Sequence, residues 1–199
     1  PSGRAAVPVD VAEPVWERCF LVAPLVIVGT REPDGAVDMA PKHMAGPVSW
    51  QNLFGFVCAP THATYVNAVR EEAFTVSYPR PEQVLLTSLA AAPRCEDGDK
   101  HALSALPTVP ARVVEGELLA DAYVQLECEL DRVVEDLGDN VLLVGRIVAA
   151  TVAEDALRVS DQDDGDLLSG APLLAYLHPG RYARVAESFS FPFHAGFSR

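Results

Sequence analysis

A chain of 199 residues, 49% of them hydrophobic, is long enough to bury a core of its own and too apolar to stay disordered. Its formal net charge of −13, with 15 Lys and Arg spread along the length, argues against a nucleic-acid partner, because phosphate backbones call for clustered cations. No apolar run approaches the ~20 residues that span a bilayer, and neither end resembles a secretory signal. The expectation is a soluble, cytoplasmic protein with one domain over residues 1–199 and no membrane partner.

The elements follow from periodicity. Residues 24–42, "PLVIVGTREPDGAVDMAPK", read as a β-hairpin about the turn Pro33-Asp34-Gly35. A strand is expected over 52–60, a helix over 63–72 from the spacing of Tyr65, Val66, Val69 and Ala73, and a strand over 73–79. Residues 81–92 open with Pro81 at a first helical position and read as a second helix. The stretch 93–110, with three prolines and a glycine, reads as loop with one short helical turn. In 123–134, Val124, Leu126, Cys128 and Leu130 face one way while Gln125, Glu127, Glu129 and Asp131 face the other. The nearly unbroken apolar run 141–152 is expected to be covered on both faces.

The acidic stretch 160–170 fails as a calcium loop. An EF-hand needs Gly sixth and Glu twelfth, whereas Gly165 stands fifth from Asp161 and Pro172 twelfth, so a solvated loop is expected. An apolar segment, 172–185, and an aromatic tail, 188–197, close the chain. Many short strands with two modest helices point to a mainly β fold, a β-barrel with helical insertions. The four cysteines form no C-x-x-C pair and read as reduced thiols, and the five histidines have no metal-site spacing, so no metal is expected.

"THATYVN", residues 61–67, is the one polar cluster between two apolar runs. If a helix starts near Thr61, its first turn offers unpaired N–H groups and a dipole that favours an anion. Thr61 and Thr64 add hydroxyls, Asn67 shares a face with Thr64, and His62 adds a ring N–H. On the other reading Thr61 is only an N-cap, Thr64 lies on the surface and Asn67 serves a nearby turn.

The order of these features resembles the flavin reductase-like family, whose fold is the FMN-binding split barrel, over roughly residues 20–185. "PLVIVGTREPDGAVDMAP" looks like its opening hairpin, an apolar strand, a D-G turn and "N-x-A-P-x-S". "THATYVN" looks like its "K-D-T-x-x-N" element, "AFTVSYP" like the strand that follows, and "GDK" (98–100) stands where "D-K-F" is common. "AYVQLECEL", "LGDNVLLVGRIVAA" and "GRYARV" match its later strands.

The resemblance implies FMN (FAD is possible) with Thr64 and Asn67 at the phosphate, and with Met39, Ala40 and Pro41 along the flavin ring. It also implies a homodimer with the flavin between subunits, NAD(P)H as a possible reductant, and a flavin-dependent monooxygenase or other acceptor downstream. The chain departs from the pattern at His62, which replaces a lysine, and at Lys42-His43, which replaces an apolar residue and a serine. Lys42 either restores the missing cation, with His43 as the replacement donor, or both are simply exposed. Asn140 stands where many relatives carry His, which puts use of NAD(P)H in doubt. His178 either lines the ring pocket from the partner subunit or sits in a turn. Trp50 is a wall or pocket-mouth residue, Tyr182 packs in a core or interface, Arg181 faces solvent or an acid, and Phe189, Phe191, Phe193 and Phe197 stitch a dimer or cover its flavin. Three functions remain open: hydride transfer from NAD(P)H to flavin, a bound-FMN protein that does not use NAD(P)H, and a non-catalytic module for haem or another ligand. No catalytic side chain is assigned.

Overall fold

The structure, a computed structural model, describes residues 4–96, 98–159 and 165–196. Residues 160–164 of the acidic stretch and Phe197 of the tail lie outside the described residues. Strands β1 (Leu21–Pro24), β2 (Val26–Arg31), β3 (Val37–Lys42), β4 (Ala45–Ser49) and β5 (Leu53–Cys58) lead to helix α1 (Ala63–Glu71), strand β6 (Ala73–Tyr78) and helix α2 (Val84–Leu89). Then come a 3₁₀ turn (His101–Ala105), β7 (Thr108–Pro110), β8 (Glu117–Leu119), β9 (Val124–Leu137), β10 (Asn140–Val152), helix α3 (Gly165–Gly170), β11 (Leu173–His178) and β12 (Arg181–Val185).

Seven strands form one antiparallel sheet in the order β3-β2-β6-β9-β10-β5-β4. Its two end strands, β3 and β4, are consecutive in the chain, so the sheet must curl to bring its edges together. At that corner the N–H of Val57 donates to Met44 O at 2.8 Å. The long β9–β10 ribbon supplies the bend. β9 pairs with β6 only over Val124–Glu129, and β10 pairs with β5 only over Val141–Arg146. Each strand of the ribbon therefore belongs to a different half of the sheet. This is a mainly β split barrel, as expected, with β1, β11 and β12 as a second, three-stranded sheet.

Inside the curl, Val26, Val28, Phe54, Phe56, Phe74, Val76 and Leu143 form the main core, each at most 1% exposed. Gly145 lets the sheet bend there: a Cβ on it would stand 2.4 Å from the ring of Phe74. On the other face of β2, Ile27 packs with Met39, Ala90, Leu106, Leu119 and Ala122 as a second core beneath α2. Both faces of β2 are covered, which is why its sequence lacks polar alternation.

Several expectations change. The 93–110 stretch holds its short helical turn but ends in β7, which pairs with β8 and not with the main sheet. Gly165–Gly170 is helix α3, not solvated loop. Strands β1, β4 and β8 are too short, or too rich in Gly and Pro, to show period-two alternation. The 141–152 run is not covered throughout: beyond Gly145 it turns half-buried and then exposed, because β5 no longer flanks it.

Glu127 stands on the polar side of β9 but is only 2% exposed. Its carboxylate accepts the backbone N–H of Arg112 at 3.0 Å, of Val113 at 2.6 Å and of Val114 at 3.1 Å, fastening the loop before β8 onto the sheet. Burial pushes this carboxyl up, but the three N–H bonds and the Arg112 charge outweigh it and hold the group below the usual glutamate range. Among the described residues no helix is long and apolar enough to cross a membrane.

Candidate functional site

Strand β3 is the free edge of the sheet, and its alternation divides the residues beside it. Asp38, Ala40 and Lys42 border a cleft of about 490 Å³ that continues over Thr61–Thr64 at the start of α1 and Ala90–Arg94 after α2. Pro41 and His43 border a second cleft of about 360 Å³, with Leu25, Val84, Thr87, Tyr176, Arg181 and Tyr182. The two clefts meet at Pro41 and Ala91. We call the two together the groove, with a polar, helix-capped part and an aromatic part that adjoin at these two residues.

At the polar end the N-cap of α1 is His62, not Thr61: the N–H groups of Tyr65 and Val66 both donate to His62 O, at 3.0 and 3.2 Å. The preceding N–H groups, of Ala63 and Thr64, have no partner among the described residues, and no side chain caps them. Thr64 is 2% exposed as a residue, borders the cleft and makes no side-chain hydrogen bond among the described residues, so its hydroxyl is free to donate into the cleft beside two unpartnered N–H groups.

Four basic side chains border this end, Lys42, His62, Arg94 and Lys100, together with the carboxylate of Asp38. The ammonium of Lys100 donates to three oxygens, Asp38 Oδ1 at 3.3 Å, Met39 O at 2.7 Å and Ala90 O at 2.9 Å. Arg94 is held by Glu32, by Asp38 at 3.3 Å and by Gly98 O at 2.9 Å. Both therefore brace the cleft floor around the buried Asp38. Lys42 differs. Its ammonium touches only Cys58 Sγ, at 3.5 Å, and has no carboxylate partner among the described residues. It is the cation with donors to spare.

The other expected residues are placed as follows. Asn67 is 1% exposed and lies beneath the cleft wall: its amide donates to Thr30 Oγ1 at 3.4 Å and accepts from Arg70 at 2.9 Å, which joins α1 to β2. Met39 points its side chain into the second core, and its carbonyl is taken by Lys100. Ala40 and Pro41 do border the groove, and Pro41 brings no N–H. His43 stacks on His178 with ring centroids 5.3 Å apart and packs near Tyr176 at 4.8 Å. Burial first, then the charges of His178 and Lys42, lower the His43 imidazole below its ordinary value, so it is a neutral ring at pH 7. His178 reaches Glu17 at 3.3 Å and does not itself border the groove of its own chain. Trp50 is 87% exposed on the β4–β5 turn, and Tyr182 is 56% exposed at the aromatic end.

Arg94 and Lys100 escaped sequence reasoning as site residues because both come from the proline-rich stretch read as loop. The "GDK" likeness was the available signal for Lys100. Cys58 gave no signal, since only the fold brings it under Lys42 and His62. Among the described residues no group of three or more His, Cys, Asp or Glu is placed to hold a metal.

The family model for the flavin reductase like domain matches residues 18–185. The chain belongs to this family. Solved split barrels superpose over nearly the whole length of this flavin reductase-like chain. Nitrilotriacetate monooxygenase component B from Bacillus cereus has a TM-score of 0.79 at 20% identity, over 95% of this chain and 100% of that one. Flavoredoxin of Desulfovibrio vulgaris (Miyazaki F) has 0.75 at 22%, over 96% and 100%. The FMN-binding protein from Thermus thermophilus, solved with p-hydroxybenzaldehyde, has 0.72 at 24%, over 96% and 99%. At these identities the likeness concerns the fold. No curated protein matches the sequence significantly.

Proposed function

We propose that this flavin reductase-like protein is an oxidoreductase that binds FMN, with the phosphate at the start of α1 and the ring toward the aromatic end of the groove. The carrying observation is Thr64: a cleft-lining hydroxyl with no hydrogen-bond partner among the described residues, next to two unpartnered N–H groups and in the same cleft as Lys42, whose ammonium has no carboxylate partner there. That donor set suits a phosphate. FMN, when bound, supplies the hydride chemistry. The chain's own part is to bind and orient: Asp38 holds Lys100 and Arg94 so that the loop after α2 walls the groove, and β3 lays Ala40 and Pro41 along it. Neutral His43 offers one ring N–H or one ring acceptor at the far end, according to its tautomer.

The finer proposal is reduction of the flavin by NAD(P)H. A second reading, FMN retained and reduced by another donor, is favoured by Asn140, the first residue of β10, paired with Leu137, at the position where the family resemblance implies a histidine. Both readings share one experiment. Fluorescence titration is expected to show FMN binding, weakened about tenfold by Thr64→Ala, the scale of one charge-assisted hydrogen bond. An unchanged affinity in that variant removes Thr64 from the phosphate site. Anaerobic addition of NADH or NADPH then separates the readings: rapid bleaching of the bound flavin supports hydride transfer, and a persistent oxidised spectrum supports the second.

We further propose a homodimer. Phe20 (63% exposed), Val22 (76%) and Trp50 (87%) leave apolar surface uncovered just before β1, on β1 and on the β4–β5 turn. Sedimentation equilibrium is expected to give twice the chain mass of 21.3 kDa. A single-chain mass removes the dimer.

A further inference from the structure

Cys58 ends β5 directly beneath the polar end of the groove. Its side chain is 3% exposed, and its sulfur lies 3.5 Å from Lys42 Nζ and 3.7 Å from His62 Nδ1. Lys42 and His62 both border the groove and Cys58 does not, so the thiol lies one side-chain layer below the surface where a ligand rests. An ammonium and an imidazole against one sulfur supply the charge and the proton acceptor that a nucleophilic thiol uses once its cover opens. The other cysteines lack it. Cys128 is fully buried, and burial, then the Glu127 charge, pushes its thiol up to about 12. Cys19 and Cys95 are exposed, and neither has an ammonium or imidazole partner among the described residues. A separate observation points to a ligand in the cleft that the same two side chains border: Thr64, 2% exposed as a residue, with a hydroxyl that has no hydrogen-bond partner among the described residues.

We propose that Cys58 is a peroxide-reactive thiol that governs whether the groove keeps its anionic ligand; the ligand's identity as FMN rests on the function proposed above. The thiol proton passes to His62 Nδ1. The sulfur attacks one oxygen of a hydroperoxide, and an S–O bond forms as the O–O bond breaks. Sulfur loses two electrons and the peroxide gains them. The departing hydroxide or alkoxide takes the proton from His62 and leaves as water or an alcohol. The product is a sulfenic acid. Its added oxygen stands in the slot between Lys42 and His62 and is a better acceptor for the ammonium than the thiol was. Lys42 then turns inward, away from the ligand phosphate. A small-molecule thiol reverses the change: one equivalent forms a mixed disulfide and releases water, and a second releases Cys58 with the small-molecule disulfide. Access requires the flexible Lys42 chain to swing aside, so a phosphate resting on Lys42 shields the sulfur.

The test treats the full chain with hydrogen peroxide, with and without FMN, and traps sulfenic acids with a dimedone-type nucleophile read by peptide mass spectrometry. FMN affinity is measured before treatment, after it, and after dithiothreitol. Cys58 is expected to label at lower peroxide than the exposed Cys19 and Cys95, with FMN slowing its labelling and His62→Gln slowing it in the free protein. FMN affinity is expected to fall about tenfold on oxidation and to recover with dithiothreitol, while Cys58→Ser, whatever its starting affinity, no longer responds to peroxide. Labelling of Cys58 no faster than that of Cys128 overturns the proposal, as does a peroxide response that survives in Cys58→Ser. If untreated protein binds no FMN, the control of retention falls together with the FMN reading. The order of labelling, which needs no flavin, still decides the thiol chemistry by itself.

Discussion

Reversing the charge at Lys42, as Lys42→Glu, is expected to weaken FMN binding about 100-fold, through loss of one charge-assisted contact and a new repulsion between two anions. Lys42 is the cation at the polar end whose donors are not already taken: Lys100 serves Asp38 and two carbonyls, and Arg94 serves Glu32 and Asp38. It also lies beside His62, since both side chains rest against the sulfur of Cys58, at 3.5 and 3.7 Å. The melting temperature is expected to change little, because Lys42 is half-buried and its one contact is a sulfur. Lys42→Arg should bind FMN within a few-fold of the parent. An FMN titration is the measurement, and an affinity that survives the reversal would place the phosphate elsewhere.

The second large effect concerns stability. Glu127→Ala is expected to cost about 3 kcal/mol, because it strands the buried N–H groups of Arg112, Val113 and Val114. For a chain of this length that lowers the melting temperature by about 6–12 °C. Glu127→Gln should recover only part of the loss, since an amide faces those donors with one oxygen and adds donors of its own. The same carboxylate sets an acid limit. Its folded value lies below the ordinary glutamate range, so its contribution is fully present above the unfolded value, about pH 4.3, and is lost as pH falls through the folded one. Thermal melts of parent and Glu127→Ala should therefore differ widely at pH 7 and converge in acid. A gap that stays constant with pH would mean the carboxylate is not what fastens the loop.

How much of this was legible in the sequence depends on how local each signal is. The D-G hairpin, the α1 spacing and the alternation in β9 are written within a dozen residues, and each element stands close to where periodicity puts it. Thr64 was legible for the same reason, as a hydroxyl in the first turn of a helix between two strands. Asn67 shares its face, but the curvature of the sheet carries the next turn of α1 under the wall, where Thr30 and Arg70 engage the amide. Glu127 obeys strict alternation and would pass for a solvent-facing residue. Only a loop returning from 13 to 15 positions earlier buries it. The braces at Arg94 and Lys100, and the thiol below Lys42, depend on contacts across the fold that no spacing encodes.

A net charge of −13 surrounds a groove mouth bordered by Lys42, Arg94, Lys100 and His62. An approaching anion is repelled over most of the surface and attracted at one place, and low-dielectric walls gather the field lines there. The body of the protein thereby acts as a guide for encounter as well as a scaffold. With the phosphate site proposed above, a small phosphorylated molecule arriving at the surface would be turned toward the start of α1, while a bulky polyanion would meet the acidic exterior first. Discrimination between anions of different size begins outside the groove, in the rate of arrival, before a single hydrogen bond has formed.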